Sequence, residues 1–217
     1  MDFFSIEYAL LAMQSALLRE VTPYLRAAII DLDTEEHIFH AYIYYDKEAS
    51  EKMIDLWDCV ICEASADLGI DCFVDSQIKR LDYPEQIPEG GYCAYMRKEC
   101  SSLQHEMQSF ALVSIKEMTI GYALLAVQHA LLGVVTPELR AVVVDFDKEG
   151  SLLYVRFYYD GEVSKDLIDL WQDVIKEAGK AFCPNCILDG RVERVDYPQT
   201  VPFRGRYAYF RKESIFY

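Results

Sequence analysis

The sequence is poor in glycine and proline, which account for 10 and 7 of its 217 residues. This scarcity excludes collagen-like chains and extended low-complexity chains. No apolar run approaches the roughly 18 residues that a membrane-spanning helix requires. An acidic residue, Asp2, stands where a secretory signal peptide would carry positive charge. Because 52% of the residues are hydrophobic, we expect a globular protein with a true core, located in the cytoplasm and without a membrane partner.

Basic residues are also few. The chain has 21 Lys and Arg residues against 36 Asp and Glu residues, which gives a formal net charge of −15. A surface with this charge repels phosphate backbones, so we expect no nucleic-acid partner. The same charge favours a basic protein partner and accelerates the encounter with it. The alternative is that the acidity serves solubility alone.

The seven cysteines have no regular spacing. Two CxxC pairs, Cys59 with Cys62 and Cys183 with Cys186, could together supply four thiolates to a zinc ion. The first pair lies in an amphipathic helical pattern, where thiols commonly serve as small hydrophobic groups. No predicted strand precedes the second pair in the way that a thioredoxin-type redox motif requires. For a cytoplasmic chain we therefore predict that all seven cysteines are reduced and bind no metal.

The chain contains an internal repeat. Residues 5–100 align with residues 119–214 without a gap, and 45 of the 96 aligned pairs are identical. An unchanged length keeps every turn and strand register in place, so both copies should share one fold. We assign residues 1–101 to the first copy, 102–118 to a connector and 119–217 to the second copy. The predicted assembly is a monomer in which the two copies are related as in a dimer.

Periodicity within one copy predicts the order αββαββ. Hairpins joined by helices favour a four-stranded, mainly antiparallel sheet with both helices on one face, so the fold class is α+β with two tandem repeats. The connector has no Gly or Pro and carries apolar residues at helical spacing, which predicts a helix. In the first copy the patterns indicate helices over residues 6–18 and 50–66, and strands over residues 25–32, 38–45, 76–82 and 92–98.

Charged and aromatic residues that both copies share are candidates for a binding site. Arg80 and Asp82 lie on one face of a predicted strand, and Arg194 and Asp196 repeat them in the second copy. One hypothesis is a site for a small acidic or polar ligand on the open face of the sheet. The other is an internal lattice of salt bridges that supports the sheet. The hypothetical ligand face consists of Arg80, Asp82, Tyr95, Arg97, Arg194, Asp196, Tyr209 and Arg211.

No catalytic constellation is apparent in the sequence. Three of the four histidines, His37, His40 and His129, align with a different residue type in the other copy, and His105 lies in the connector. The chain also lacks the GxSxG, HExxH and Walker-type glycine motifs. We therefore predict a protein that is not an enzyme and that uses no cofactor and no metal ion.

The two copies differ most in charge. Residues 1–100 carry 20 acidic and 8 basic residues, a net charge of −12, whereas residues 101–217 carry 16 and 13, a net charge of −3. The difference concentrates after the second helix and in the loop before the last strand. Exposed loops tolerate variation, so neutral drift is one explanation. The other, which we favour as a hypothesis, is that the acidic residues of these segments contact a basic protein partner: Asp67, Asp71, Glu85 and Glu89.

Four stretches of the second copy resemble a known group of small bacterial proteins. They are ALLGVVTPELRAVVVDFD (130–147), FYYDGEVSKD (157–166), VERVDYPQTVP (192–202) and YAYFRKE (207–213). The group comprises immunity-type proteins of polymorphic toxin or contact-dependent inhibition systems.

The first copy departs from this pattern at Arg19 and Lys47, where the second copy has Gly133 and Gly161. Together with the charge, the resemblance implies an acidic, non-enzymatic inhibitor that masks a basic toxin domain. The rival hypothesis is a small-molecule-binding or enzymatic domain that uses the Tyr/Arg/Asp face of the sheet.

Overall fold

The fold was obtained as a computed structural model, which describes residues 4–69, 71–99 and 119–213. It confirms two tandem α+β repeats, each with two helices and four strands. The predicted helical connector, residues 102–118, lies outside the described residues. The first copy contains α1 (Ile6–Ala16), β1 (Leu25–Asp33), β2 (Ile38–Tyr45), α2 (Glu51–Leu68), β3 (Phe73–Arg80) and β4 (Tyr92–Met96). The second copy contains α3 (Ile120–Leu131), β5 (Leu139–Asp147), β6 (Leu152–Tyr159), α4 (Lys165–Phe182), β7 (Ile187–Arg194) and β8 (Arg206–Phe210).

Hydroxyl side chains mark where the helices begin. The Ser5 hydroxyl accepts a hydrogen bond from the Tyr8 N–H at the start of α1, and Thr119 does the same at the start of α3. Ser164 caps α4 by accepting from the Leu167 N–H at 3.2 Å. Ser50 occupies the matching position before α2 but makes no side-chain capping bond. Three of the four helices in the described part of the chain therefore have one of their free N–H groups satisfied by a cap.

Each sheet is mainly antiparallel, as predicted. In the first copy the strand order is β3-β2-β1-β4, in which β1 pairs antiparallel with both β2 and β4. The expected hairpin between the last two strands is wrong, because β3 and β4 lie on opposite edges of the sheet. Since α2 serves as a crossover, β3 runs parallel to β2. The second copy repeats this arrangement as β7-β6-β5-β8.

Both faces of each sheet are covered. The helices pack on one face, where Trp57 of α2 and Trp171 of α4 are fully buried in a core that includes residues of both copies. On the opposite face of the first sheet, the segment between β3 and β4 packs Leu81 and Ile87 against Ala27 and Ile29. The sheet face that was expected to be open therefore carries a second, smaller core.

The two copies contact each other through reciprocal backbone hydrogen bonds. The Lys98 N–H donates to the Val135 carbonyl, and the Lys212 N–H donates to the Val21 carbonyl, each at 3.0 Å. A second matched pair joins Gly133 to Met96 and Arg19 to Phe210. In each matched pair, the donor belongs to the first copy in one bond and to the second copy in the other. The interface therefore has the self-complementary form of a twofold dimer.

The prediction that all cysteines are reduced is wrong for one pair. Cys183 and Cys186 are joined in a disulfide across the turn that follows α4, with their Cα atoms 5.3 Å apart. This separation lies in the range that a disulfide can bridge. The first copy cannot form the same bond, because Gly69 takes the position of Cys183. The other cysteines within the described ranges are free thiols: Cys59, Cys62, Cys72 and Cys93.

Candidate functional site

A buried arginine in each copy holds the long segment between the last two strands. Arg26 is only 1% exposed, and its guanidinium donates to the backbone carbonyls of Leu81 at 2.6 Å and Glu85 at 2.8 Å. It also donates to both carboxylate oxygens of Glu99, at 2.6 and 2.7 Å. This two-point contact satisfies the buried charge and fixes the segment across the sheet.

Arg140 repeats the arrangement in the second copy. It donates to the backbone carbonyls of Val195 at 2.6 Å and Gln199 at 2.9 Å, and to the Glu213 carboxylate. Two fully buried arginines with matching partners show that this framework belongs to the repeat unit. The charged residues that the copies share in this framework therefore serve as internal ion pairs.

A second shared arginine lies where the two copies meet. Arg97 donates to the Asp46 carboxylate, to the Pro23 carbonyl at 2.9 Å and to Glu99 at 3.3 Å. In the second copy, Arg211 donates to Asp160 and to the Pro137 carbonyl, each at 2.6 Å. These bonds occupy each guanidinium with partners from its own copy, which leaves it poorly suited to capture an acidic ligand.

A cavity of about 530 Å³ lies between the copies at this place. Half of the residues proposed for a ligand face line it: Tyr95, Arg97, Tyr209 and Arg211. Burial raises the pKa of both tyrosines, so their phenols remain protonated. The cavity lining also includes four acidic residues, Asp46, Glu99, Asp160 and Glu213, and two lysines, Lys98 and Lys212.

The other half of the proposed ligand face does not line this cavity. Arg80 pairs with Asp82 at 2.9 Å, and Arg194 pairs with Asp196 at 2.8 Å, both on the protein surface. The Arg80 guanidinium and the backbone N–H of Lys47 lower the pKa of Asp82. Arg194 and the Gly161 N–H do the same for Asp196. Each aspartate therefore ties the end of an edge strand to the loop that follows β2 or β6.

The four acidic residues proposed as partner contacts are all exposed, in two separate groups. Asp67 lies in the last turn of α2, and Asp71 lies between α2 and the start of β3. Glu85 and Glu89 lie in the segment that follows β3. The eight residues of β3 span roughly 25 Å, and they separate Asp71 at the start of the strand from the segment that carries Glu85.

Sequence reasoning missed the carboxylates that complete the arginine framework. In the first copy, Glu99 binds Arg26 and Asp46 binds Arg97. In the second copy, Glu213 binds Arg140 and Asp160 binds Arg211. The sequence did mark these carboxylates, because both positions are identical between the copies. Identity alone could not assign them to the arginines, because it does not show which residues are neighbours in space.

A family model described as MafI2 immunity protein matches residues 7–99 and matches residues 121–213 a second time. The two matches cover more than half of the chain. The chain belongs to the MafI2 immunity protein family. The resemblance to immunity-type proteins is thus confirmed, together with the tandem duplication. None of the curated proteins matches the chain.

Membership in the MafI2 family gives the protein a toxin as its partner and the role of an inhibitor. Immunity proteins generally act by binding, without catalysis. Over the ranges described above, no helix is both long and apolar enough to span a bilayer. In the same ranges, no group of His, Cys, Asp and Glu side chains is placed to hold a metal ion.

Proposed function

We propose that this MafI2 protein neutralises a basic toxin domain in the cytoplasm by binding it with the acidic side chains of its first copy. The observation that carries the proposal is the charge asymmetry, −12 against −3, in a chain whose two copies share one fold. Asp67, Asp71, Glu85 and Glu89 are all exposed. In the second copy the aligned residues are Ala181, Asn185, Gln199 and Phe203.

The inhibitor would act by occupying the basic surface of the toxin. A toxin that cleaves nucleic acid needs positive charge around its active cleft to attract phosphates. Carboxylates held on a folded surface compete for that cleft and accelerate association. No chemical step by the inhibitor is required, and the charged residues shared by the copies are free to serve the internal framework.

Charge reversal tests this proposal. The test partner is a toxin domain encoded by a gene adjacent to that of this protein. The double variants D67K/D71K and E85K/E89K should each associate with it about tenfold more slowly at low salt. The difference should shrink above ~0.15 M salt, where the Debye length is about 8 Å. Association kinetics at several salt concentrations measure this effect. Stability should change by less than about 0.5 kcal/mol, because the substituted side chains are exposed.

The matched control is D169K/E193K, which makes the same change in charge at exposed residues of the second copy. We expect this variant to associate with the toxin domain at a rate close to that of the unmodified protein. Equal slowing by all three variants would show that net charge alone matters. Unchanged association of both first-copy variants, with intact folding, would leave solubility as the reason for the acidity.

A second candidate function is small-molecule binding in the cavity between the copies. In the first copy, Asp46 Oδ1 and the Thr22 hydroxyl are buried and have no hydrogen-bond partner within the described residues. Their counterparts are satisfied, since Asp160 Oδ1 accepts from the Tyr197 N–H and Thr136 bonds to a tyrosine hydroxyl. Two unpartnered oxygen atoms suit a ligand that donates hydrogen bonds, such as an amine or a polyol.

Ligand titrations followed by NMR test the second candidate. A panel of small ammonium compounds and polyols should shift the signals of residues around Asp46, and Asp46→Asn should weaken that response. Asp160→Asn is the matched control and should leave it unchanged, because Asp160 Oδ1 is already bonded. If no compound shifts these signals, the cavity holds solvent only.

A further inference from the structure

The outer edge of β3 offers an unusually complete set of backbone hydrogen-bonding groups. The Phe73 N–H donates to the His37 carbonyl at 2.9 Å, and the Leu81 N–H donates to Tyr45 at 2.7 Å. Between these bonds, all eight residues of β3 pair in parallel with β2 without a register shift. In a parallel pair the odd-numbered residues then direct N–H and C=O towards β2. The even-numbered residues direct theirs outwards: Val74, Ser76, Ile78 and Arg80.

Nothing within the described ranges pairs with this outer edge, because β3 is the last strand of its sheet. Natural proteins usually blunt such edges with proline, bulges, short strands or charged side chains. β3 has no proline, and its pairing with β2 has no bulge; its basic residues, Lys79 and Arg80, stand at its far end. At its start, Phe73 is 71% exposed and Val74 is 44% exposed. An exposed, regular edge with apolar side chains is suited to receive an added strand.

The matching edge in the second copy differs in charge. Around the start of β3 the first copy presents Asp67, Asp71 and Asp75. The Asp75 side chain is 58% exposed and lies 3.0 Å from the His40 imidazole. Alanine and asparagine replace the first two in the second copy. The third counterpart, Asp189, is paired with Arg156 at 2.8 Å and lies 3.4 Å from Arg191. The start of β3 is therefore more acidic than the start of β7, whereas the far end of β3 carries Lys79 and Arg80.

The edge of β7 also differs in its backbone. Gly190 stands where β3 has Ser76, and a side chain at Gly190 would come within 1.9 Å of Ile175. Glycine weakens a strand and often marks a close approach by another group. Charge and strand composition thus both single out the first copy.

We propose that an extended segment of the toxin, rich in Lys and Arg, adds to the outer edge of β3 as a fifth strand. The inference rests on the proposed function and names the surface that performs it. Backbone bonds to the outward groups of β3 would align the segment, Phe73 and Val74 would contact its apolar side chains, and the three aspartates would attract its basic ones. Glu85 and Glu89 lie in the segment that leads from β3 to β4 on the opposite edge of the sheet, and they would affect only the rate of encounter.

Amide hydrogen exchange followed by NMR tests the inference directly. In the free protein, the N–H groups of Val74, Ser76, Ile78 and Arg80 should exchange much faster than those of Asp75, Gln77 and Lys79. In the complex with the inactivated toxin domain from the neighbouring gene, the outward set should become protected. The outward N–H groups of β7 are the internal control and should not change.

A pair of substitutions at Ser76 tests the same contact independently. Ser76→Pro removes one outward N–H, which proline can do on an edge strand without breaking the bonds to β2. We expect it to weaken toxin binding about tenfold or more. Ser76→Ala keeps the N–H and should bind as the unmodified protein does. Circular dichroism and melting curves confirm that both variants are folded.

The possible outcomes separate the inference from the proposed function. If the complex forms without new protection at β3, or if Ser76→Pro binds normally, strand addition is wrong and inhibition by binding stands. If the unmodified protein does not bind the toxin domain, the proposed function fails and the inference falls with it. Protection that depends on protein concentration in the absence of toxin would make a second copy of this chain the occupant, which also overturns the inference.

Discussion

Replacing Arg26 with methionine is expected to destabilise the protein by about 3–5 kcal/mol, the usual result of removing one member of a buried ion pair. Methionine fills similar space but donates no hydrogen bond. The carbonyls of Leu81 and Glu85 would lose this partner, and the Glu99 carboxylate would lose its two short bonds and keep the longer one from Arg97. Urea unfolding at neutral pH measures the change in free energy. Arg140→Met should behave alike, because Arg140 makes the same set of contacts.

The control for this experiment is Arg80→Met, which breaks the exposed pair with Asp82. Surface ion pairs contribute about 0–1 kcal/mol, so this variant should remain close to the unmodified protein. If Arg26→Met costs no more than Arg80→Met, the buried arginine does not hold the segment between β3 and β4, and the framework described above is incorrect.

Separating the two copies is expected to have the second large effect. Residues 1–101 and 119–217, produced as two chains in one cell, should copurify as a complex of one chain each. The reason is the shared interface: reciprocal backbone bonds join the copies, Arg19 packs over the Phe210 ring, and Lys212 pairs with Glu20 at 2.6 Å. Size-exclusion chromatography and melting curves provide the measurement.

Alone, the first copy should melt well below the intact protein. A loss of about 3 kcal/mol lowers the melting temperature of a domain of this size by roughly 12–24 °C. Adding the second copy should restore most of that loss, because the interface re-forms. An isolated first copy that is monomeric and melts like the intact chain would contradict a core shared between the copies.

Much of the fold could be predicted because repetition and periodicity are local properties of the sequence. The predicted and observed bounds of β2 are identical, and the other elements differ by a few residues at their ends. Strand pairing was harder, because it depends on where α2 returns the chain. The pattern of residues 76–82 predicts a strand but carries no information on whether it runs beside β2 or beside β4.

The disulfide also shows the difference between what the sequence indicates and what the three-dimensional geometry decides. The spacing of Cys183 and Cys186 was visible in the sequence, but the turn after α4 brings the two sulfur atoms together. The first copy has the matching Cys72 and lacks the partner, since Gly69 occupies that position. A redox state inferred from compartment alone therefore missed a bond that local geometry favours.

The sequence by itself determined the duplication, the αββαββ order, the charge asymmetry and the family resemblance, because each depends on residue identity along the chain. Only the tertiary structure decided that the shared arginines serve two different roles, with Arg26 buried within one copy and Arg97 beside the cavity between copies. It also decided that Asp67 and Asp71 lie just before β3, and that β3 is the last strand of its sheet within the described residues. The physical reason is that ion pairs, cavities and free sheet edges arise from residues distant in sequence, and only the packing of the sheets brings those residues together.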